Sequence, residues 1–491
     1  MSIQYKDIFV TPTQKEGLDG VGIALGLGLL FGIACAWFSS TWTLVAFVVI
    51  GIVFFILKRP ELLLLVYMIL TSSVIEYSQA PSLSIGFGTL YLTDVILLMS
   101  LIIIIIQLMK RPDFKIVHTP LDIPILIFWS ASIIATIIAI SNSSLPWTNS
   151  LHEIRTISSY LLFFVVTNLV RDKGQLNLII KGFFLLATIV ALVTIFEHFF
   201  GPPSRLIFAG RLEEAAVESG DALSGVTRII LPGQSIIVVA LIAGFAILII
   251  ERISIIRICQ CGLFVLANII TFFRASWLVT GFTFLVIAVL AKKQAMNRII
   301  GTSLLIIVLL IIILMTIAFQ PGSKTANLAN AAYQRLFTLF ETSTFEDANS
   351  SLRWRDFEYK YAIPHILANP LVGIGLGSIY RPLTEKDHEN FDGRTFIHNG
   401  HVWVILKSGI LSYLALMWFM FSIFLRGLRH WQDISDPYMR GIVLAFCLTS
   451  IGVLIISIVE PYLMTPGWTP VIGIIAGINE VILRRFSQLN I

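Results

Sequence analysis

Three stretches of this chain place arginine, histidine and glycine where they could hold a phosphate and move a proton. The first is Thr227-Arg228-Ile-Ile-Leu-Pro232-Gly-Gln234, an arginine at the mouth of an apolar helix entered through Pro232. The second, Ser351-Leu-Arg353-Trp354-Arg355, opens a segment of helical periodicity. The third is His398-Asn399, nine residues, then Gly409-Ile-Leu-Ser412. A guanidinium fork binds phosphate through two parallel hydrogen bonds, keeps its charge and tolerates a dry site better than an ammonium does. A helix N-terminus adds partial positive charge and unpaired N–H donors. Two such arginines suit a diphosphate at a water–lipid boundary, and in a transfer reaction they would stabilise the charge growing on a departing diphosphate. His398 is the group best suited to act as a base. His365, His388 and His401 lie in the same region, and a solvated surface group is the plainer reading of any one of them.

Other chemistries find less support. Gly373-x-Gly375-x-Gly377 has the spacing of a nucleotide loop but lacks the preceding strand, so a tight backbone turn is expected. There is no Asp-x-Asp pair, Walker element or metal-ligand spacing, and neither metal nor cofactor is expected. Cys35, Cys259, Cys261 and Cys447 lie in or beside apolar runs, which argues against disulfides.

The elements that must position these residues belong to a membrane. Of 491 residues, 57% are hydrophobic and 13% charged, with mean hydropathy +0.88, a composition suited to lipid as solvent. The reading is an all-α polytopic membrane protein with about fourteen transmembrane helices and one large periplasmic loop carrying interfacial helices. Residues 1–17 form a cytoplasmic N-terminal segment and 18–318 hold helices one to eleven, with a periplasmic loop at 200–228. Residues 319–400 are the large periplasmic loop, 401–483 hold helices twelve to fourteen, and 484–491 are a cytoplasmic C-terminus. Spans are expected near 20–38, 42–57, 61–77, 90–109, 122–141, 153–170, 176–199, 229–250, 255–272, 275–291, 299–318, 401–425, 439–459 and 466–483. Basic clusters in every second break, from Lys58-Arg59 to Arg484-Arg485, set the orientation by the positive-inside rule. The net charge of +5 then reflects topology rather than nucleic-acid binding.

The 319–400 loop exceeds ordinary loop lengths, which argues for function. Within it, Ser351 to Asn369 reads as a helix lying on the membrane, with Trp354, Phe357 and Tyr361 on one face and Arg353, Asp356 and Lys360 on the other. Glu358 falls awkwardly near the apolar stripe, and Pro364 should kink or end the helix. Ionisable residues near the spans cluster at outward ends: Glu76, Asp94, Glu153, Arg155, Glu197, His198, Arg228, Arg274, Lys407 and Glu460. Snorkelling accounts for any one of them; ten on one side favour an outward-facing cavity.

The run His398-Asn399-x9-Gly409-x-x-Ser412 resembles the signature of the O-antigen ligase and polymerase superfamily: His, then Asn, Ser or Gln, nine residues, Gly, two residues, then Gly, Thr or Tyr. All positions match except Ser412. The segment Ser350 to Tyr380, with Arg353, Trp354, Asn369-Pro370-Leu371 and the three spaced glycines, resembles that family's large outer loop. Thr227-Arg228 to Gln234 is similar to its first arginine motif, and Phe273-Arg274-Ala275 to its Ser-Arg-Gly element. The resemblance implies a metal-independent glycosyltransferase of the bacterial inner membrane. Its donor would be a glycan on undecaprenyl diphosphate, and its acceptor a glycan, lipid A core or protein. Catalytic roles fall on His398, Arg228 and Arg353, and substrate contacts on Arg274, Arg355, Asn399 and Gly409. A transporter or flippase for the same lipid-linked material, or for a small anion, is the rival reading, since a basic cavity serves both. A scaffold in an export complex is the third.

Overall fold

The computed structural model describes residues 59–72, 82–85, 88–143, 147–201, 211–214, 227–251, 253–291, 351–384 and 393–486, with isolated positions 145, 297 and 301, less Arg252. From Glu61 onward these belong to one compact unit. The helices are α1 (Leu62–Thr71), α2 (Leu92–Lys110), α3 (Asp122–Ser143), α4 (Trp147–Ser158), α5 (Leu162–Leu169), α6 (Lys173–Phe200) and α7 (Gln234–Ile250). They continue with α8 (Ile255–Ile270), α9 (Arg274–Leu290), α10 (Ser351–Ala368), α11 (Gly400–His430), α12 (Pro437–Ile456) and α13 (Thr469–Phe486). Among the described residues, α2, α3, α6, α11 with the turn after it, and α12 are long and apolar enough to cross a membrane. The chain is a membrane protein. The expected spans at 20–38 and 42–57, and 299–318 save one position, lie outside the described residues.

Burial follows from patterning. α7 is apolar all round, and every residue from Gln234 to Ile249 is buried, as a helix without a polar face must be. It packs against α12 and α8, while α13 packs against α5. α2 and α3 instead leave Leu98, Ile102, Ile105, Ile123 and Ile134 exposed, which are outer faces suited to lipid tails. Helix starts were written locally. The Asp172 carboxylate accepts from the Gln175 backbone N–H at 2.8 Å while the Gln175 side-chain Oε1 accepts back from the Asp172 backbone N–H, opening α6. Asp436 before Pro437 caps α12.

The structure adds detail to the expected, mostly helical fold. Two short strand pairs accompany the helices: Ser82–Ile85 (β1) pairs antiparallel with Gly88–Tyr91 (β2), and Arg211–Glu214 (β3) with Thr227–Ile230 (β4). Both hairpins fall between apolar runs, where extended segments can pair with each other. The span drawn at 153–170 is α4, a 3-10 turn over Ser159–Leu161, and α5. Ser159 sits at the break, where its hydroxyl meets that of Tyr67 at 2.8 Å. Pro364 lies inside α10, which runs on to Ala368. The missing N–H removes a single bond four residues before the helix ends.

Candidate active site

Asn399 builds the site's first element. Its Oδ1 accepts from the His401 and Val402 N–H groups, both at 3.0 Å, and so starts α11. Its amide donates to Tyr359 Oη on α10 at 2.8 Å. Gly400 follows with its N–H on the carbonyls of Ser457 and Glu460. A Cβ there would lie 3.1 Å from Ser457 Cβ. His398 is thereby fixed between α10 and the end of α12.

α11 breaks at Gly409, whose φ of 76° lies in the left-handed region. The break takes Ile410 N–H away from the Leu406 carbonyl and gives it to Pro370 at 2.9 Å. The orphaned carbonyls of Leu406 and Lys407 accept instead from Ile374 and Gly375. Gly373, Gly375 and Gly377 all have positive φ, the tight turn expected from their spacing. Their missing side chains let the loop press on α11, α3 and α4: a Cβ on Gly373 would lie 2.6 Å from the Lys407 carbonyl carbon. Gly409 is thus a packing position within this crossing. Ser412, the departure from the motif, donates to the Phe128 carbonyl at 3.1 Å and lies 2.7 Å from Ser132 Oγ. It holds α11 to α3.

The residue that sequence reading missed is Glu358. Its carboxylate is 1% exposed. One oxygen stands 2.7 Å from His398 Nδ1 and accepts from Trp354 Nε1 at 3.1 Å; the other accepts the His398 N–H at 2.9 Å. The available signal was a carboxylate off the polar face of α10. His398 Nε2 has no hydrogen-bond partner among the described residues. Its ring packs edge-on to Phe396 at 4.8 Å. The competing histidines separate from it: His401 uses both ring nitrogens, on the Leu454 carbonyl and Tyr413 Oη, His365 is exposed, and His388 lies outside the described residues.

Phe396 also lines a cavity of about 420 Å³, formed by α1, α4, the end of β4, the α8–α9 turn and residues 460–468. Its wall is mostly apolar, including Leu70, Leu231, Phe273 and Trp468. Two charged side chains face it, Arg155 and Glu460. Arg155 Nε lies 2.7 and 2.9 Å from the Asp94 oxygens, with its guanidinium over the Tyr91 ring. Arg355 donates to the Val459 carbonyl at 2.7 Å and lies 3.8 Å from Glu460. The α8–α9 turn passes through Phe272, a buried non-glycine residue at φ 53°. That strained position places Thr271 and Phe273 on the wall and starts α9 at Arg274.

The three expected catalytic residues fare differently. Arg353 is exposed, on the same end of α10 as Glu358. Arg228 is placed in backbone only, paired with Glu213 and one residue before Ile229 of the cavity wall; its side chain lies outside the described residues. His398, Glu358, Asn399 and Arg355 are brought together at α10 and α11. Among the described residues no group of three or more His, Cys, Asp or Glu could hold a metal.

No curated protein matches the chain. A family model described as O-antigen ligase matches residues 260–417, from within α8 to midway along α11. That segment contains α10, the glycine loop, the His398–Glu358 contact and the Gly409 break. That match supports the resemblance to the O-antigen ligase superfamily read from the sequence.

Proposed function

We propose that this protein transfers a glycan from undecaprenyl diphosphate to an acceptor hydroxyl at the periplasmic face of the bacterial inner membrane. His398 Nε2 takes the proton of the acceptor hydroxyl as its oxygen bonds to the anomeric carbon. The bond from that carbon to the diphosphate oxygen breaks, and its electron pair leaves with undecaprenyl diphosphate. Arg228 and Arg353 grip the diphosphate and offset its growing charge. Arg274 and Arg355 contact the headgroup, while Asn399 and Gly409 serve by fixing the start and the break of α11. The apolar cavity suits the first isoprene units of the carrier.

The observation that carries this reading is the His398 imidazole. One nitrogen is committed to Glu358, the other has no partner among the described residues, and the ring stands beside the cavity through Phe396. A flippase has no need of a held imidazole with one open nitrogen. The test is glycan transfer by membranes containing His398→Ala at normal protein level. Transfer should drop by at least about 100-fold, the scale of lost general base catalysis, and Arg353→Lys should lose about tenfold through loss of the fork. Transfer at the wild-type rate by His398→Ala would overturn the reading. Surface polysaccharide from a deletion strain then assigns the acceptor: loss of all attached glycan marks a ligase, and a single repeat unit on its acceptor marks a polymerase.

A further inference from the structure

We propose that Glu358 is the positioning residue of His398, fixing its tautomer so that Nε2 carries the lone pair, and that it holds the imidazolium formed when Nε2 takes a proton. This rests on the glycan-transfer reading for its chemistry but not for its geometry. A carboxylate 2.7 Å from a ring nitrogen is a stable contact when that nitrogen bears hydrogen, so Nδ1 is the N–H and Nε2 the acceptor. The second oxygen takes the backbone N–H of the same residue. Ring and backbone are therefore clamped by one rigid group, itself tied to Trp354 Nε1.

A packing role alone does not explain the residue. Position 358 is almost fully buried beside a stripe in which Trp354 stacks on Phe357 at 5.0 Å and Phe357 meets Tyr361 edge-on at 5.1 Å. An apolar residue would fill that place without the cost of burying a carboxylate. Arg381 lies over the Trp354 ring at 5.2 Å, the same indole that donates to Glu358. During transfer the acceptor proton passes to Nε2, Glu358 keeps its charge throughout, and the proton later leaves from Nε2 to solvent.

Glu358→Gln tests this because an amide cannot satisfy both N–H donors of His398. Either its NH2 group faces one of them, or the ring flips its tautomer to put hydrogen on Nε2. We expect kcat to fall about 100-fold with KM within about threefold, as for loss of an interaction made in the transition state. Thermal melting of the purified full chain should show that it stays folded. 15N spectra of histidine-labelled protein, with the His398 signal assigned by its loss in His398→Ala, should report Nδ1–H in wild type and a shift toward Nε2–H in the variant. Glu358→Asp keeps the carboxylate and should retain the Nδ1–H signal; it serves the same test should Glu358→Gln not fold. An unchanged tautomer in Glu358→Gln with kcat within threefold of wild type overturns the proposal, as does an Nε2–H signal in wild type or in Glu358→Asp. Full transfer by His398→Ala would instead sink the parent reading, leaving the spectrum to decide the contact.

Discussion

The two ends of α11 handle charge in opposite ways. Near Gly400, four ion pairs are largely withdrawn from solvent: Lys407 with Glu153 at 3.7 Å, His398 with Glu358, Arg355 with Glu460, and Arg155 with Asp94. Lys407 is 0% and Glu153 6% exposed. Roughly 39 Å further along the helix, the pairs are Arg426–Glu480, Lys173–Asp436 and His430–Asp433, and the Lys173 side chain is 58% exposed. Around them stand Arg171, Arg484 and Arg485, which have no ion pair among the described residues. Surplus solvated cations fit a face that meets cytoplasm under the positive-inside rule, and the proposed orientation follows that surplus. Buried matched pairs have a different use. Taking ions out of water is tolerated where their geometry does work, so the first end reads as machinery and the second as an anchor.

The hardest blow to this contrast falls on the crossing that organises the first end. In Gly409→Val a Cβ would lie 2.1 Å from the Leu371 carbonyl oxygen, on a backbone that a β-branched residue avoids. The loop that orphaned carbonyls of α11 require would be pushed off. We expect no monodisperse protein after detergent extraction, and a well-behaved peak with normal transfer would show that the crossing is dispensable. Next comes Lys407→Met, which strands the Glu153 carboxylate without its cation. Breaking a buried pair by removing one partner costs about 3–5 kcal/mol, read as a lowered melting temperature. Adding Glu153→Gln should recover most of that loss, because no uncompensated charge then remains. If the single variant melts like wild type, the pair is not buried in the way the structure describes.

How far the sequence foretold this depends on the range of each interaction. Long apolar helices were legible, since α2, α3, α6 and α12 are continuous apolar runs closed by polar residues. The glycine turn at 373–377 was legible as a turn, because spacing alone implies positive φ. What it touches was not, for Lys407, Ala139 and Asn149 are brought there by three separate helices. Glu358 signalled itself as a carboxylate off the polar face of α10, yet its partner lies 40 residues away and no local rule names it. Glu153 and Lys407 were both seen as outward ionisable groups, but their pairing spans α4 and α11. The hairpins at 82–91 and 211–230 escaped because four-residue strands carry too little alternation to stand out from loop. Sequence periodicity thus located the helices, and tertiary contact supplied the chemistry between them.

The smallest effect is expected where the second end is tested, at Lys173→Ala. Lys173 Nζ is 3.1 Å from Asp436, so distance alone would rank this pair above Lys407 with Glu153. Exposure reverses the ranking, since solvent screens an ion pair on the surface and holding a long side chain in place costs entropy. Asp436 also keeps its second occupation without the lysine: its Oδ1 accepts the Tyr438 N–H at 3.0 Å and caps α12. The variant should therefore lose no more than about 0.5 kcal/mol and transfer glycan at the wild-type rate, whereas Asp436→Ala should lose about 1 kcal/mol through the missing cap. Measured side by side by thermal melting, these two place the contribution of Asp436 in the helix start rather than in the ion pair. A loss of about 2 kcal/mol or more in Lys173→Ala would mean that charge is structural at both ends of α11, and the distinction between machinery and anchor would have to be abandoned.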